Sequence, residues 1–143
     1  MDDWELRRRI YASFAAVGVS PQIAEVAAWV GGEAAARDAL RRLHDAHAIV
    51  LDAAGQIRMA LPFSAVPTEH LVRHGGRAWW ANCAWDALAI PAALGIDAAI
   101  DANWLDTGEP VELEVRDGNL SSVDGFVHFA VPARHWWDDI GET

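Results

Sequence analysis

One stretch constrains the fold most, residues 79–95, with the sequence WWANCAWDALAIPAALG. Two chemically reactive residues, Cys83 and Asp86, interrupt its otherwise apolar pattern. At helical spacing Cys83 and Asp86 lie on one side of a helix, and Ile90 and Leu94 continue the same stripe. A carboxylate on an apolar stripe is costly to bury unless it is paired or protonated. We therefore expect a half-buried helix that brings a thiol and a carboxyl group together.

The ends of this helix suggest how the pair could work. Asn82 is a candidate N-cap, which would put Cys83 in the first helical turn, where the helix dipole favours a reactive thiolate. Asp86 should hold its proton more tightly than a solvated carboxyl group. Gly95 is a candidate C-cap, and Pro91 should kink the helix or end it early. Cys83 could instead simply pack in the core, and Asp86 could pair with an arginine such as Arg77.

Composition and charge limit the protein class. The 143 residues are 52% hydrophobic, which fits one domain, or a small helical module joined to a second lobe. No apolar run is long enough for a membrane span and no signal-peptide pattern opens the chain, so we expect a cytoplasmic protein without a membrane partner. The single cysteine excludes an internal disulfide and multi-cysteine zinc sites.

The net charge of −10 is concentrated in the second half. Residues 1–60 hold 7 arginines against 8 acidic residues, a balance of −1, whereas residues 61–143 hold 4 against 13, a balance of −9. An acidic lobe is a poor electrostatic match for nucleic acid, so we expect no nucleic-acid partner.

Residues 1–61 are predicted to form a winged-helix-like module of three helices and a hairpin. Helices are expected over 3–17, from a start signal at Ser20-Pro21 to Gly31-Gly32, and from about Glu33. Short strands at 49–51 and 57–60 would form the hairpin. Three arginines of the third helix could line a DNA-recognition helix, namely Arg37, Arg41 and Arg42. Because residues 1–60 are nearly neutral overall, a module that packs against the second half of the chain fits better.

Residues 62–143 are predicted to form a small mixed lobe of strands and one helix, which makes the whole chain α+β. A proline-rich linker over 61–67 precedes a hairpin of 69–73 with 77–81, and further strands are expected at 96–102, 111–115 and 126–131. The histidines are expected to be solvated or boundary residues and not metal ligands; these are His44, His47, His70 and His74. Five tryptophans either pack in the core or wall a dry pocket around Cys83; they are Trp79, Trp80, Trp85, Trp136 and Trp137.

The segment Trp80-Ala81-Asn82-Cys83-Ala84-Trp85-Asp86-Ala87-Leu88, followed by Ile90-Pro91-Ala92, resembles the core motif of the alkylmercury (organomercurial) lyase family. Thr107-Gly108-Glu109-Pro110 before an alternating strand is a second likeness, and the strand ending at Pro132 is a third. The resemblance implies mercury resistance by protonolysis of carbon–mercury bonds. Cys83 would attack and bind mercury, and Asp86 would carry the proton and also contact the metal. No cofactor is expected, and external thiols would remove the product mercury.

The sequence departs from the family pattern at two cysteines. The second cysteine that completes the family's thiolate pair is absent, and we expect it to follow a segment like Asp138–Thr143. A further family cysteine, near the Thr-Gly-x-Pro turn, is replaced by Trp104. Three hypotheses therefore remain: a lyase of impaired turnover, a non-catalytic binder of mercury or another soft metal, and a winged-helix regulator that uses Cys83 as a sensor.

Overall fold

A computed structural model describes residues 1–121 and 124–141, and it places three helices before a continuous antiparallel sheet. Helices α1 (Asp3–Val17), α2 (Ile23–Val30) and α3 (Glu33–Asp45) come first. A fourth helix and a short 3₁₀ helix follow later in the chain; these are α4 (Ala84–Leu94) and Ala133–Asp138. The eight strands are β1 (Val50–Leu51), β2 (Ile57–Ala60), β3 (Phe63–Ser64), β4 (Leu71–His74), β5 (Arg77–Ala81), β6 (Ala98–Asn103), β7 (Pro110–Arg116) and β8 (Asn119–Leu120).

The strands form one sheet in the order β1-β2-β3-β5-β4-β6-β7-β8. All the neighbouring strands are antiparallel. Helix α4 connects β5 to β6, and β6 pairs with β4 and not with β5. The combination of helices and a sheet in an α+β architecture is as predicted.

The three N-terminal helices have the predicted apolar faces. Leu6, Ile10 and Phe14 of α1 are fully buried, and Val26 of α2 and Leu40 of α3 join them in one hydrophobic cluster. Val17 belongs to the same stripe of α1 by its spacing, but its side chain is 63% exposed because it lies in the last turn, beside the Gly18 cap. Helix α2 starts at Ile23 and not at Pro21, because Gln22 and Glu25 form a reciprocal capping box.

The helix–helix–helix–hairpin order of residues 3–60 is present, but the hairpin is not a free wing. Strand β2 pairs with β3 as well as with β1. The predicted linker at 61–67 therefore contains a strand of the sheet, and Phe63 within it is buried and stacks on Phe14. The winged-helix description is thus not confirmed, and the division into 1–61 and 62–143 stays a prediction.

Two later predictions differ from the structure. The expected strand at 126–131 is absent: that segment has no regular secondary structure and no strand partner among the described residues, and Phe126 is fully exposed. Of the two expectations for Pro91, the early end is wrong, since α4 continues to Leu94 and ends at the predicted Gly95 cap, whose backbone is left-handed (φ 63°). The kink at Pro91 stays a prediction. No helix in residues 1–121 and 124–141 is long and apolar enough to cross a membrane.

Candidate active site

Strand β5 leads directly into α4, and Cys83 lies at this junction. The residue is itself the N-cap of α4, with extended backbone (φ −152°, ψ 179°), and its carbonyl oxygen accepts the Ala87 N–H at 2.9 Å. The prediction that Asn82 is the cap, with Cys83 in the first turn, is therefore wrong by one residue. The strand end is held by Thr68, whose hydroxyl donates to the Ala81 carbonyl oxygen at 2.6 Å.

The Cys83 thiol is half-buried, and its surroundings favour the protonated form. Burial raises the pKa of Cys83 most, and the charge of Asp86 raises it further, whereas the backbone N–H groups of Asp86 and Trp85 lower it. The net pKa lies above that of an ordinary thiol. The expectation of a thiolate activated by the helix dipole is thus wrong, because desolvation and a neighbouring carboxyl group outweigh the dipole.

Asp86 is half-buried in the first turn of α4, and its side chain interacts with that of Cys83, three residues earlier. Burial raises the pKa of Asp86, while hydrogen bonds from Asn82 and Cys83 partly oppose that rise. The Nδ2 atom of Asn82 donates to Asp86 Oδ2 at 3.0 Å. Asp86 therefore holds its proton more tightly than a solvated carboxyl group, as its position in the sequence predicts.

The alternative partner for Asp86, Arg77, lies elsewhere. Its guanidinium carbon is 5.4 Å from the centre of the Trp79 ring, in a cation–π arrangement. Among the described residues, the ion pairs of the protein do not include Asp86. The described polar interactions of the carboxyl group are with the Cys83 thiol and the Asn82 amide.

The tryptophans differ widely in exposure and in the side chains they contact. Trp79 is 1% exposed in the core, whereas Trp85 is 54% exposed and makes an edge contact with Phe129. Phe129 in turn packs on Trp136, and Trp137 stacks on His47. The described part of the chain has open depressions beside β6 and β7, at the β1–β2 turn and at the β4–β5 turn, and neither Cys83 nor Asp86 lines any of these three.

The other predicted candidates lie away from this pair. Arg37, Arg41 and Arg42 form ion pairs with acidic residues of α1 and α3, so their charges are largely matched. His70 is half-buried and not solvated as expected, and burial lowers its pKa. Within residues 1–121 and 124–141, no group of three or more histidine, cysteine or acidic side chains could hold a metal ion.

Sequence reasoning missed the true role of Asn82, which contacts the Asp86 side chain and does not cap the helix. The spacing of the two residues could have indicated this contact, since an asparagine four residues before an aspartate can reach it along a helix face. The contact between Trp85 and Phe129 has no local signal, because 44 positions separate the two residues along the chain.

Comparisons with known proteins find alkylmercury lyases. The family model described as alkylmercury lyase matches residues 63–143, which include Cys83 and Asp86. Curated alkylmercury lyases from Bacillus cereus and Clostridium butyricum are each 32% identical over 76 residues, or 53% of this chain and 34% of the relative. The matched stretch thus spans about a third of the length of these relatives.

A solved structure shares the fold. The mercury-bound form of MerB2 superposes with a TM-score of 0.58 at 26% sequence identity, and the match covers 83% of this chain and 66% of that one. The similarity therefore extends to the part of the chain before residue 63, which the family model does not match.

Proposed function

The chain belongs to the alkylmercury lyase family, and from that premise we propose that it cleaves carbon–mercury bonds, with Cys83 binding mercury and Asp86 carrying the proton. The observation that carries the proposal is that Cys83 caps α4 and Asp86 lies three residues later in its first turn, where the two side chains interact. Mercury is a soft metal that prefers a sulfur ligand, and a nearby carboxyl group can accept and return a proton.

In the first step, the organomercurial cation meets the neutral thiol. The Cys83 sulfur forms a bond to mercury, and its proton passes to the Asp86 carboxylate, so that charge is conserved. The raised pKa of Cys83 means that mercury, and not the protein, drives this ionisation. The raised pKa of Asp86 makes its carboxylate a better proton acceptor than a solvated one.

In the second step, the proton on Asp86 moves to the carbon bound to mercury. The carbon–mercury bond breaks, its electron pair forms the new carbon–hydrogen bond, and the hydrocarbon leaves. Mercury stays on the Cys83 sulfur, beside the Asp86 carboxylate. Two molecules of an external thiol then take the metal as a dithiolate; one of their protons returns to Cys83 and the other is released to solvent.

The supply of external thiol matters for this chain because its sequence holds a single cysteine. A protein with one sulfur ligand binds mercury less firmly than one that encloses it between two, and small thiols complete the coordination. The affinity of sulfur for mercury also supports a second candidate function, in which the protein captures mercury at Cys83 without breaking the carbon bond.

The test is to incubate the protein with phenylmercury and an excess of a small thiol, and to measure benzene by gas chromatography. We expect benzene from the unmodified protein and background amounts from Cys83→Ser and Asp86→Asn. Asp106→Asn, at an exposed turn, is the matched control and should release as much benzene as the unmodified protein. Mass spectrometry that finds one mercury per chain without benzene would support the binder instead, and equal release from Cys83→Ser would refute both.

A further inference from the structure

The Asn82 side chain joins two parts of the fold that meet beside Cys83. Its Nδ2 atom donates one hydrogen bond to the Pro62 carbonyl oxygen at 3.1 Å and another to Asp86 Oδ2 at 3.0 Å. Pro62 lies in the corner between β2 and β3, and Asp86 lies in the first turn of α4. Both protons of one amide nitrogen are thus used to fix the carboxyl group to the sheet.

The orientation of this amide follows from its neighbours. Turning it over would place Asn82 Oδ1 against the Pro62 carbonyl oxygen and the Asp86 carboxyl group, which are both acceptors. In the observed orientation Oδ1 is buried and has no hydrogen-bond partner among the described residues. A buried acceptor without a partner is unfavourable. The fold therefore keeps the two hydrogen bonds that Nδ2 donates, although Oδ1 accepts none among the described residues.

The Asn82 contact also controls where the carboxyl group can go. An acidic residue at the third position of a helix commonly turns back to cap the N-terminal backbone, as Glu25 does with Gln22 in α2. Asp86 occupies the same position of α4, but its side chain accepts a hydrogen bond from the Asn82 amide and interacts with the Cys83 thiol. The carboxyl group is therefore held beside the sulfur and not beside the helix backbone.

On the basis of the proposed function, we infer that Asn82 is a positioning residue, which holds the Asp86 carboxyl group beside Cys83 for proton delivery to the carbon bound to mercury. Asn82 itself transfers no proton and binds no mercury in this role. Proton transfer requires the donor within hydrogen-bond reach of the carbon, and a small misplacement of a reacting group can slow a reaction by about a hundredfold.

The first experiment tests the hydrogen bond without any reaction. In ¹⁵N-labelled protein, the side-chain amide signals of Asn82 are assigned by their absence from Asn82→Leu. We expect Asp86→Ala to shift these signals upfield and to speed their hydrogen exchange, because the amide loses a charged acceptor. Signals that do not change in Asp86→Ala would overturn the inference, whether or not the protein is a lyase.

The second experiment separates mercury capture from hydrocarbon release. With phenylmercury, Asn82→Leu should capture the metal at Cys83 within about twofold of the normal rate, because buffer can also accept the thiol proton in that step. It should release benzene about tenfold to a hundredfold more slowly, because only a positioned Asp86 delivers the proton to the carbon. Asn82→Ala is the second variant, in case the larger side chain disturbs the fold. Asn103→Leu changes an exposed residue at the end of β6 in the same way, and should alter neither rate.

The outcomes of the second experiment distinguish the two hypotheses. Benzene release from the unmodified protein, with the same rate in both Asn82 variants, would overturn the positioning role and leave the proposed function intact. Capture and release that fall together, with a lower unfolding temperature, would show a structural role and also overturn it. No benzene from the unmodified protein would overturn both, since no proton delivery would remain to be positioned.

Discussion

The indole nitrogen of Trp79 donates a hydrogen bond to the backbone carbonyl oxygen of Phe14 at 2.9 Å, across 65 positions of the chain. The first residue belongs to β5, which leads into the Cys83 junction, and the second to the last turn of α1. Both side chains are fully buried. The helical N-terminal part of the chain is therefore tied to the strand that presents the candidate site.

Replacing Trp79 by phenylalanine should lower stability through this contact. The change leaves a cavity and removes the donor to Phe14, and we expect the free energy of unfolding to fall by about 1–3 kcal/mol. Urea denaturation would measure the loss. Trp4→Phe is the control, because Trp4 is 70% exposed and should change stability by less than about 0.5 kcal/mol. Similar losses in the two variants would contradict the prediction.

Gly18, which ends α1, allows the helix to approach β5. It has a left-handed backbone (φ 76°), and an added Cβ would collide with the Ala78 carbonyl oxygen. Gly18→Ala should therefore cost about 2–5 kcal/mol, from the left-handed backbone and the collision together. Gly31→Ala is the matched control, since Gly31 is also left-handed (φ 93°) but has open space around it, and it should cost only about 1–2 kcal/mol. Equal thermal shifts would show that the contact with Ala78 does not matter.

The pH dependence of Cys83 alkylation should reveal its raised pKa. Iodoacetamide reacts with the thiolate, so we expect the half-maximal rate at a higher pH than for an ordinary cysteine. Asp86→Asn should move that midpoint to lower pH, because it removes the negative charge that opposes ionisation. Mass spectrometry follows one site, since the chain has one cysteine. A midpoint that is the same in Asp86→Asn and in the Asp106→Asn control would contradict the coupling.

Asp86 should make stability depend on pH in a definite direction. Its folded pKa lies above the ordinary value of 3.8, so the native protein binds more protons than the unfolded chain between the two values. Stability from this group is fully present below 3.8 and is lost as the pH rises through the folded pKa. Asp86→Asn should thus gain stability relative to the unmodified protein at neutral pH, and this gain should disappear in acid. A gain of the same size at both pH values in urea denaturation would count against a buried, proton-holding Asp86.

Local sequence patterns by themselves determined several elements of this protein. The spacing of Leu6, Ile10 and Phe14 predicts the buried face of α1, and Gly95 predicts the end of α4, because helix periodicity and capping depend on near neighbours. The spacing of Cys83 and Asp86 likewise predicts that they lie close together, since the N-cap and the third residue of a helix are neighbours.

The tertiary structure decided what the local pattern left open. The sequence predicted an activated Cys83 thiolate, but the surrounding fold buries the thiol and raises its pKa, which no local rule could weigh. Strand pairing was equally beyond local rules. Phe63 was expected in a linker but lies in β3, which pairs with β2 and β5. Residues 126–131 were expected to form a strand but have no strand partner among the described residues. The reason is that desolvation and strand pairing depend on residues far away in the chain, whereas helix faces and caps are set within a few residues.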